Sequence, residues 1–363
     1  MAVSLFATAQ GRTGVKTALF IPQVLPTIPV KPQEWFTGAP RLEEVTYPTK
    51  NGFGVADLYT PAGEGAHGAV LLFLGVNPAG RDDPRVVGLA EGLAQAGVIV
   101  LIPWSQEMTQ KKVSANEIES LVYAYEFLLD NDRVDPERSG MGGFCVGASF
   151  ATVAAQDARI RDQVKFVNFF GGYFDAEDLA VSVTSASRFY GDVVEPWTPD
   201  KLSIEVVSSH LIGGLSDAGE RALLERVFIV KDAVLDDGML ATMSAEAQAV
   251  HRLLSGVSRS EADDLVAGLP DEMRIELASI SPATRLQDLD ARVLLMHDRQ
   301  DKLVPSEESR RLADALSERG GVYHTEFSLF QHVDPTRPVS PPIYARELFK
   351  LYLHMYNILR ELD

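Results

Sequence analysis

The chain of 363 residues carries 33 lysines and arginines against 51 aspartates and glutamates, a formal charge of −18, and 46% of it is apolar. That length and apolar share suffice for a large core and exclude global disorder, while the acidic balance argues against a nucleic-acid partner, whose phosphates need a basic surface. A single cysteine, Cys145, excludes an internal disulfide framework and a cysteine-rich zinc site, and it fits a reducing, cytoplasmic compartment.

No stretch reaches the roughly 18 consecutive apolar residues of a membrane span, and the N-terminus lacks a charged region followed by an apolar one. Neither a transmembrane segment nor a signal peptide is therefore expected. Residues 16–30 are apolar but interrupted by Pro22, Pro26 and Pro29. Prolines break regular helices, so residues 1–41 are expected to form an extended arm packed on the body. The alternative is a peripheral surface, residues 16–30, that touches a membrane or a partner.

From Leu42 onward short strands and longer helices alternate. Glu44–Thr49 and Gly54–Tyr59 flank Asn51-Gly52, a hairpin signal. Gly68–Gly75 and Val98–Pro103 are apolar runs of strand length, the pattern of strands buried on both faces. Helices are predicted at Pro84–Ala96, Glu117–Asp130 and Val146–Ala155, and strands at Ser139–Phe144 and Lys165–Phe170. Such alternation calls for a parallel sheet with right-handed crossovers. Between residues 176 and 281 strand-like runs become scarce. Helical spacing takes over, as in Leu223, Val227 and Val230, in Ala247, Val250 and Leu254, and in Leu265, Leu269 and Met273. A helical insertion is expected there. The alternation resumes with a strand at Ala291–Met296, a helix at Pro305–Glu318, a strand at Tyr323–Leu329 and a closing helix at Ile343–Leu362.

Gly143-Phe144-Cys145-Val146-Gly147 falls between a predicted strand and helix. This is the pattern of a nucleophile elbow, with cysteine where serine is common. Its glycines allow a sharp turn where a Cβ would meet the crossing chain. The helix beginning at Val146 points its positive end at the sulfur, which favours a thiolate. After the late strand come Asp298 and Asp301, both ahead of Val304-Pro305. Asp301 is the preferred orienting acid, because Asp298 sits nearer the strand end, where turn-capping is the commoner duty. His332 follows the last strand, completing the order nucleophile, acid, histidine. An oxyanion needs two N–H donors, here expected from the backbones of Val146 and Val76, the latter beside Gly75.

Taken together, Gly143–Gly147, Asp301 and His332 resemble the α/β-hydrolase superfamily, over about residues 42–175 and 282–362. The lead-in Asp132–Arg138 before Gly142-Gly143-Phe144-Cys145 is similar to the dienelactone hydrolase family, which uses a Cys–His–Asp triad; that family also carries a glutamate near the oxyanion loop, and Leu72–Pro78 contains no acid. A second similarity, through G-x-C-x-G and Ile102-Pro103-Trp104, is to polyhydroxyalkanoate synthases. The resemblance implies an α/β-hydrolase fold, a mostly parallel sheet flanked by helices, with a mainly helical cap at residues 176–281. It implies a hydrolase acting on an ester, thioester or lactone through an acyl-Cys145 intermediate. The substrate is then a small acyl compound, and no metal or organic cofactor is implied, since a triad is self-sufficient. The alternatives are an acyltransferase of the polyhydroxyalkanoate synthase type and a non-catalytic binding protein on the same fold. Phe189, Tyr190, Trp197 and Phe228 are candidate walls of the substrate pocket, although packing within the cap is the favoured expectation for each.

Overall fold

The computed structural model describes residues 8–50 and 52–363. Eight strands form one sheet in the order β1-β2-β4-β3-β5-β6-β9-β10. They are β1 (Arg41–Thr49), β2 (Gly52–Thr60), β3 (His67–Phe73), β4 (Ile99–Trp104), β5 (Val134–Phe144), β6 (Phe166–Phe170), β9 (Arg292–Asp298) and β10 (Val322–Phe327). β2 runs antiparallel to β1 and β4, and the remaining pairs are parallel. The central strands are buried almost throughout, and their residues alternate between two cores. Leu71, Leu101, Met141, Val167 and Leu295 point into one, whereas Val70, Val100, Phe166, Leu294 and Met296 point into the other. The continuous apolar runs in the sequence follow from this burial on both faces.

The second core is covered by helices α1 (Ala9–Val24), α2 (Pro84–Gln95) and a long closing helix Pro341–Leu362. The first is covered by α3 (Asn116–Leu129), α4 (Val146–Ala154) and the segment between β6 and β9. That segment holds helices α5 (Ala176–Ser185), α6 (Lys201–Gly213) and six further helical pieces from Ala218 to Ser279. A hairpin of β7 (Ser187–Tyr190) and β8 (Val193–Pro196) interrupts it. The spacing of Leu265, Leu269 and Met273 crosses a break: two helices, Arg259–Ala267 and Asp271–Ser279, flank Gly268-Leu269-Pro270.

Of the extended arm expected over residues 1–41, residues 1–7 lie outside the described residues, and Ala9–Val24 is instead a helix. Pro22 lies in the last turn of α1, where it removes one N–H but little helix follows for it to break. The Lys31 ammonium reaches the carbonyls of Pro22, Gln23 and Leu25, supplying donors where the helix runs out of them. Phe20, Ile21 and Leu25 are buried, so the apolar side of residues 16–25 faces the protein body. Among the described residues no helix is long and apolar enough to cross a membrane.

Candidate active site

Cys145, Asp298, Asp301 and His332 all lie at or beyond the carboxyl ends of parallel strands, where open α/β sheets place their crevices. Cys145 joins β5 to α4 with φ 55° and ψ −137°, a strained backbone for a residue with a side chain. Two bonds hold the turn: Cys145 N–H donates to the Phe170 carbonyl at 2.9 Å, and Ala148 N–H to the Cys145 carbonyl at 2.9 Å. The flanking glycines are required by close approach. A Cβ on Gly143 would lie 2.3 Å from the Gly147 carbonyl oxygen, and one on Gly147 would lie 2.3 Å from that of Phe73.

The His332 ring is held by Asp301, whose Oδ2 lies 2.6 Å from Nδ1. With Nδ1 so engaged, the buried Nε2 is left for the Cys145 thiol, and it has no other partner among the described residues. Burial opposes a charged ring, but the Asp301 carboxylate and Cys145 outweigh it, and the His332 pKa rises well above its ordinary value. Asp301 is fully buried. Burial alone would push its carboxyl up, yet the charge of His332 and hydrogen bonds from His297 and His332 hold it below the usual carboxylate range. Its Oδ1 accepts the N–H groups of Leu303 at 2.7 Å and Val304 at 3.2 Å.

Asp298 makes different contacts. Its carboxylate accepts the backbone N–H groups of His332, at 3.1 Å, and Gln300, at 3.0 Å, and pairs with Arg337. It braces the His332 loop, where His332 itself has a φ of 59°, and it does not touch the ring's nitrogens.

Val76 and Val146 both line a cavity that opens at Cys145. Neither backbone N–H has an acceptor among the described residues, the condition an oxyanion site requires. The cavity, mouth included, encloses about 680 Å³. Its walls are largely branched aliphatic residues such as Val113, Leu179, Val207 and Leu277, and no lysine or arginine lines it. Tyr173 and Ser203 spend their hydroxyls on backbone carbonyls, and the other polar side chain on the wall, apart from Cys145, is His210, itself bonded to the backbone of Val113. Burial pushes its pKa down, which keeps it neutral.

None of Phe189, Tyr190, Trp197 and Phe228 lines this cavity, and each is a packing residue, the expectation favoured for them. Phe189 is stacked between the guanidinium groups of Arg259 and Arg311, at 3.5 and 3.9 Å from the ring centre. Tyr190 bonds Asp314, Phe228 packs on His251, and buried Trp197 donates to the Asp301 carbonyl. Helices α6 and α5 present aliphatic faces to the cavity instead. His297 lies 3.4 Å from Asp301 Oδ2 through Nε2, which also lies 3.0 Å from the Val304 carbonyl. Its spacing of four from Asp301 was the available signal.

Glu308, in the first turn of the helix Glu307–Ala315, is completely buried. It accepts the N–H groups of Phe174 and Asp175 at 2.8 and 3.3 Å and pairs with Arg311, fixing the chain that leads from β6 into α5. Burial, against the opposing charge of Arg311, pushes its pKa up from 4.5 to about 7, and Asp178 adds to the rise. A carboxyl raised on folding contributes stability that is lost as pH climbs from its unfolded value through its folded one, here worth roughly 3 kcal/mol. Glu308→Gln should therefore flatten the dependence of Tm on pH between about pH 5 and pH 8. An unchanged slope in thermal melts would contradict this account.

By sequence, no protein-family model and no curated protein matches the chain. By structure it is similar to a candidate dipeptidyl aminopeptidase IV from Bacteroides ovatus, with a TM-score of 0.51 and 13% identity over 89% of this chain and 36% of that one. It is also similar to an esterase from Pyrobaculum calidifontis, at TM-score 0.49 and 14% identity over 97% and 93% of the two chains. Acylaminoacyl peptidase from Pyrococcus horikoshii is matched at 0.49 and 13% identity over 86% of this chain and 41% of that one. The chain thus spans well under half the length of either peptidase. The architecture is that of the α/β-hydrolase fold, and at these identities the likeness extends to fold alone.

Proposed function

We propose that this protein is a hydrolase that cleaves an ester, thioester or lactone of a neutral aliphatic acid through an acyl-cysteine intermediate. The observation that carries the reading is the Cys145–His332–Asp301 arrangement at a strained elbow opening on an apolar cavity. The Cys145 sulfur attacks the acyl carbon, and the resulting oxyanion is received by the N–H groups of Val76 and Val146. When the oxyanion collapses, the bond to the leaving alkoxide or thiolate breaks and His332 gives it a proton. Water then attacks the acyl-thioester, His332 takes its proton, and Cys145 departs as thiolate. Asp301 holds the imidazole in one tautomer and supports its charge. Residues 176–281 act as a cap whose α5 and α6 shape the acyl site.

The Cys–His–Asp set and the lead-in Asp132–Arg138 support a dienelactone-hydrolase-like enzyme, and a cysteine nucleophile fits the reducing cytoplasm. A wall without lysine or arginine favours an uncharged acyl group, and it weighs against a polymerising synthase drawing its coenzyme A thioester into this space. The test is a panel of aryl esters of acetic to dodecanoic acid, with ω-carboxyl counterparts, followed by turnover and by intact-mass detection of an adduct on Cys145. Turnover of the neutral acyl esters, at least about tenfold above the carboxylated ones, is expected. No adduct on Cys145 from any ester would overturn the reading. Polyester formed from a 3-hydroxyacyl coenzyme A would replace it with acyl transfer.

A further inference from the structure

The segment between β6 and β9 grips the loop that carries Asp301 at three successive backbone carbonyls. Trp197 Nε1 donates to the Asp301 carbonyl at 2.8 Å, Asp200 N–H to that of Lys302 at 2.6 Å, and the Ser203 hydroxyl to that of Leu303 at 2.7 Å. The N–H groups on the same two peptide units, those of Leu303 and Val304, both donate to Asp301 Oδ1. The 302–303 peptide is thus held at its oxygen by Asp200 and at its nitrogen by the Asp301 carboxylate. The 303–304 peptide is held likewise by Ser203 and Asp301. Hydrogen bonds at the two ends of a peptide unit polarise one another, so the grips of Asp200 and Ser203 strengthen the bonds to the carboxylate, while Trp197 holds the main chain of Asp301 itself. Trp197 and Ser203 are buried, and a carbonyl that loses such a donor has little access to water in exchange.

We propose that Trp197 and Ser203 are positioning residues that fix Asp301, and through it the His332 ring, for the reaction under Proposed function, on which this inference rests. Ser203 stands in the first turn of α6, which also presents Leu202, Val206, Val207 and His210 to the cavity. One helix therefore both contacts what fills the acyl site and holds the acid. A poorly fitting acyl group that displaces α6 loosens Asp301 as well, so selection for chain shape enters the chemical step and not binding alone.

The experiment compares the wild type with Trp197→Phe, which keeps a ring but lacks the donor, and Ser203→Ala, with Ser203→Thr restoring a hydroxyl. Three quantities are read: kcat and KM on the best ester of the panel, Tm, and the downfield proton resonance of the His332 Nδ1–H in the substrate-free protein. Trp197→Phe should lower kcat about tenfold with KM within about twofold, the effect of one hydrogen bond felt at the acid. The resonance should move upfield in Trp197→Phe and Ser203→Ala and return in Ser203→Thr. A fall in Tm with kcat and resonance unchanged would make these contacts structural only and overturn the proposal. Should Trp197→Phe fail to fold, the Ser203 pair carries the same comparison. If the wild type turns over no ester, the hydrolase reading fails by itself, whereas the resonance still decides whether Trp197 and Ser203 position Asp301.

Discussion

Cys145→Ala should lower ester turnover by about 10⁴ or more while leaving the fold in place. Alanine keeps the Cβ, so the backbone strain at φ 55° is the same in both proteins, and the bonds to Phe170 and from Ala148 are made by main-chain atoms. What disappears is the nucleophile and the partner of His332 Nε2. Because Cys145 helps to raise the His332 pKa, that pKa should fall in the variant, visible in an NMR titration of the ring. Residual activity from the N–H groups of Val76 and Val146 alone is expected to be small, since without a covalent step they stabilise only direct attack by water. Turnover within tenfold of the wild type would remove Cys145 from the mechanism.

The second large effect separates two aspartates. Asp301→Asn preserves shape but places a neutral amide against His332 Nδ1, removing the charge that keeps the ring protonated. A loss in kcat/KM of about 10² to 10⁴ is expected, toward the lower end if a thiolate–imidazolium pair depends less on its acid than a serine does. The sign of the pH effect follows from the two shifts. Asp301 is depressed, so its contribution to stability is present above the unfolded value near 3.9 and lost as pH falls through the folded one. His332 is raised, so its contribution is full below about 6.5 and lost as pH rises through its folded value. The Tm difference between wild type and Asp301→Asn should then be widest from about pH 4 to 6.5 and narrow on the alkaline side. The alkaline limb of activity should move to lower pH. Asp298→Asn should behave in the opposite way, costing stability by breaking the pair with Arg337 and reducing kcat/KM less than about tenfold. Greater damage to activity from Asp298→Asn would transfer the acid's role to that residue.

What could be read from the sequence tracks what the local chain decides by itself. The strands β3, β4, β6 and β9 were legible because burial on both faces leaves an unbroken apolar run. The elbow was legible because Gly143 and Gly147 are demanded by contacts within a few residues and one neighbouring strand. Helix α1 was not, since its single interior proline falls in the last turn, after most of the helix is formed, and the carbonyls there are bonded by Lys31, nine residues beyond Pro22. The β7–β8 hairpin also left no signal, its second strand being exposed throughout and four residues long. Trp197, His297, Glu308 and His210 were missed for a common reason. Each matters through a partner brought near by tertiary folding, and nothing in a buried tryptophan's own neighbourhood distinguishes a carbonyl on the acid's loop from any other acceptor.

The corner at Cys145 divides the evolutionary freedom of the molecule unevenly. Residues 143 and 147 are closed to every side chain, because any added carbon would meet main-chain atoms that cannot withdraw without moving the sheet. Between them stands a residue whose Cβ is already accommodated and whose terminal atom takes no part in closing the turn. A hydroxyl in place of the thiol needs no rearrangement of the backbone, and a cysteine codon is one base away from a serine codon. The scaffold is therefore frozen where shape is set and open where reactivity is set. Under the proposed acyl-cysteine reading, the reactivity of the site can change through this one side chain while the architecture around it stays fixed.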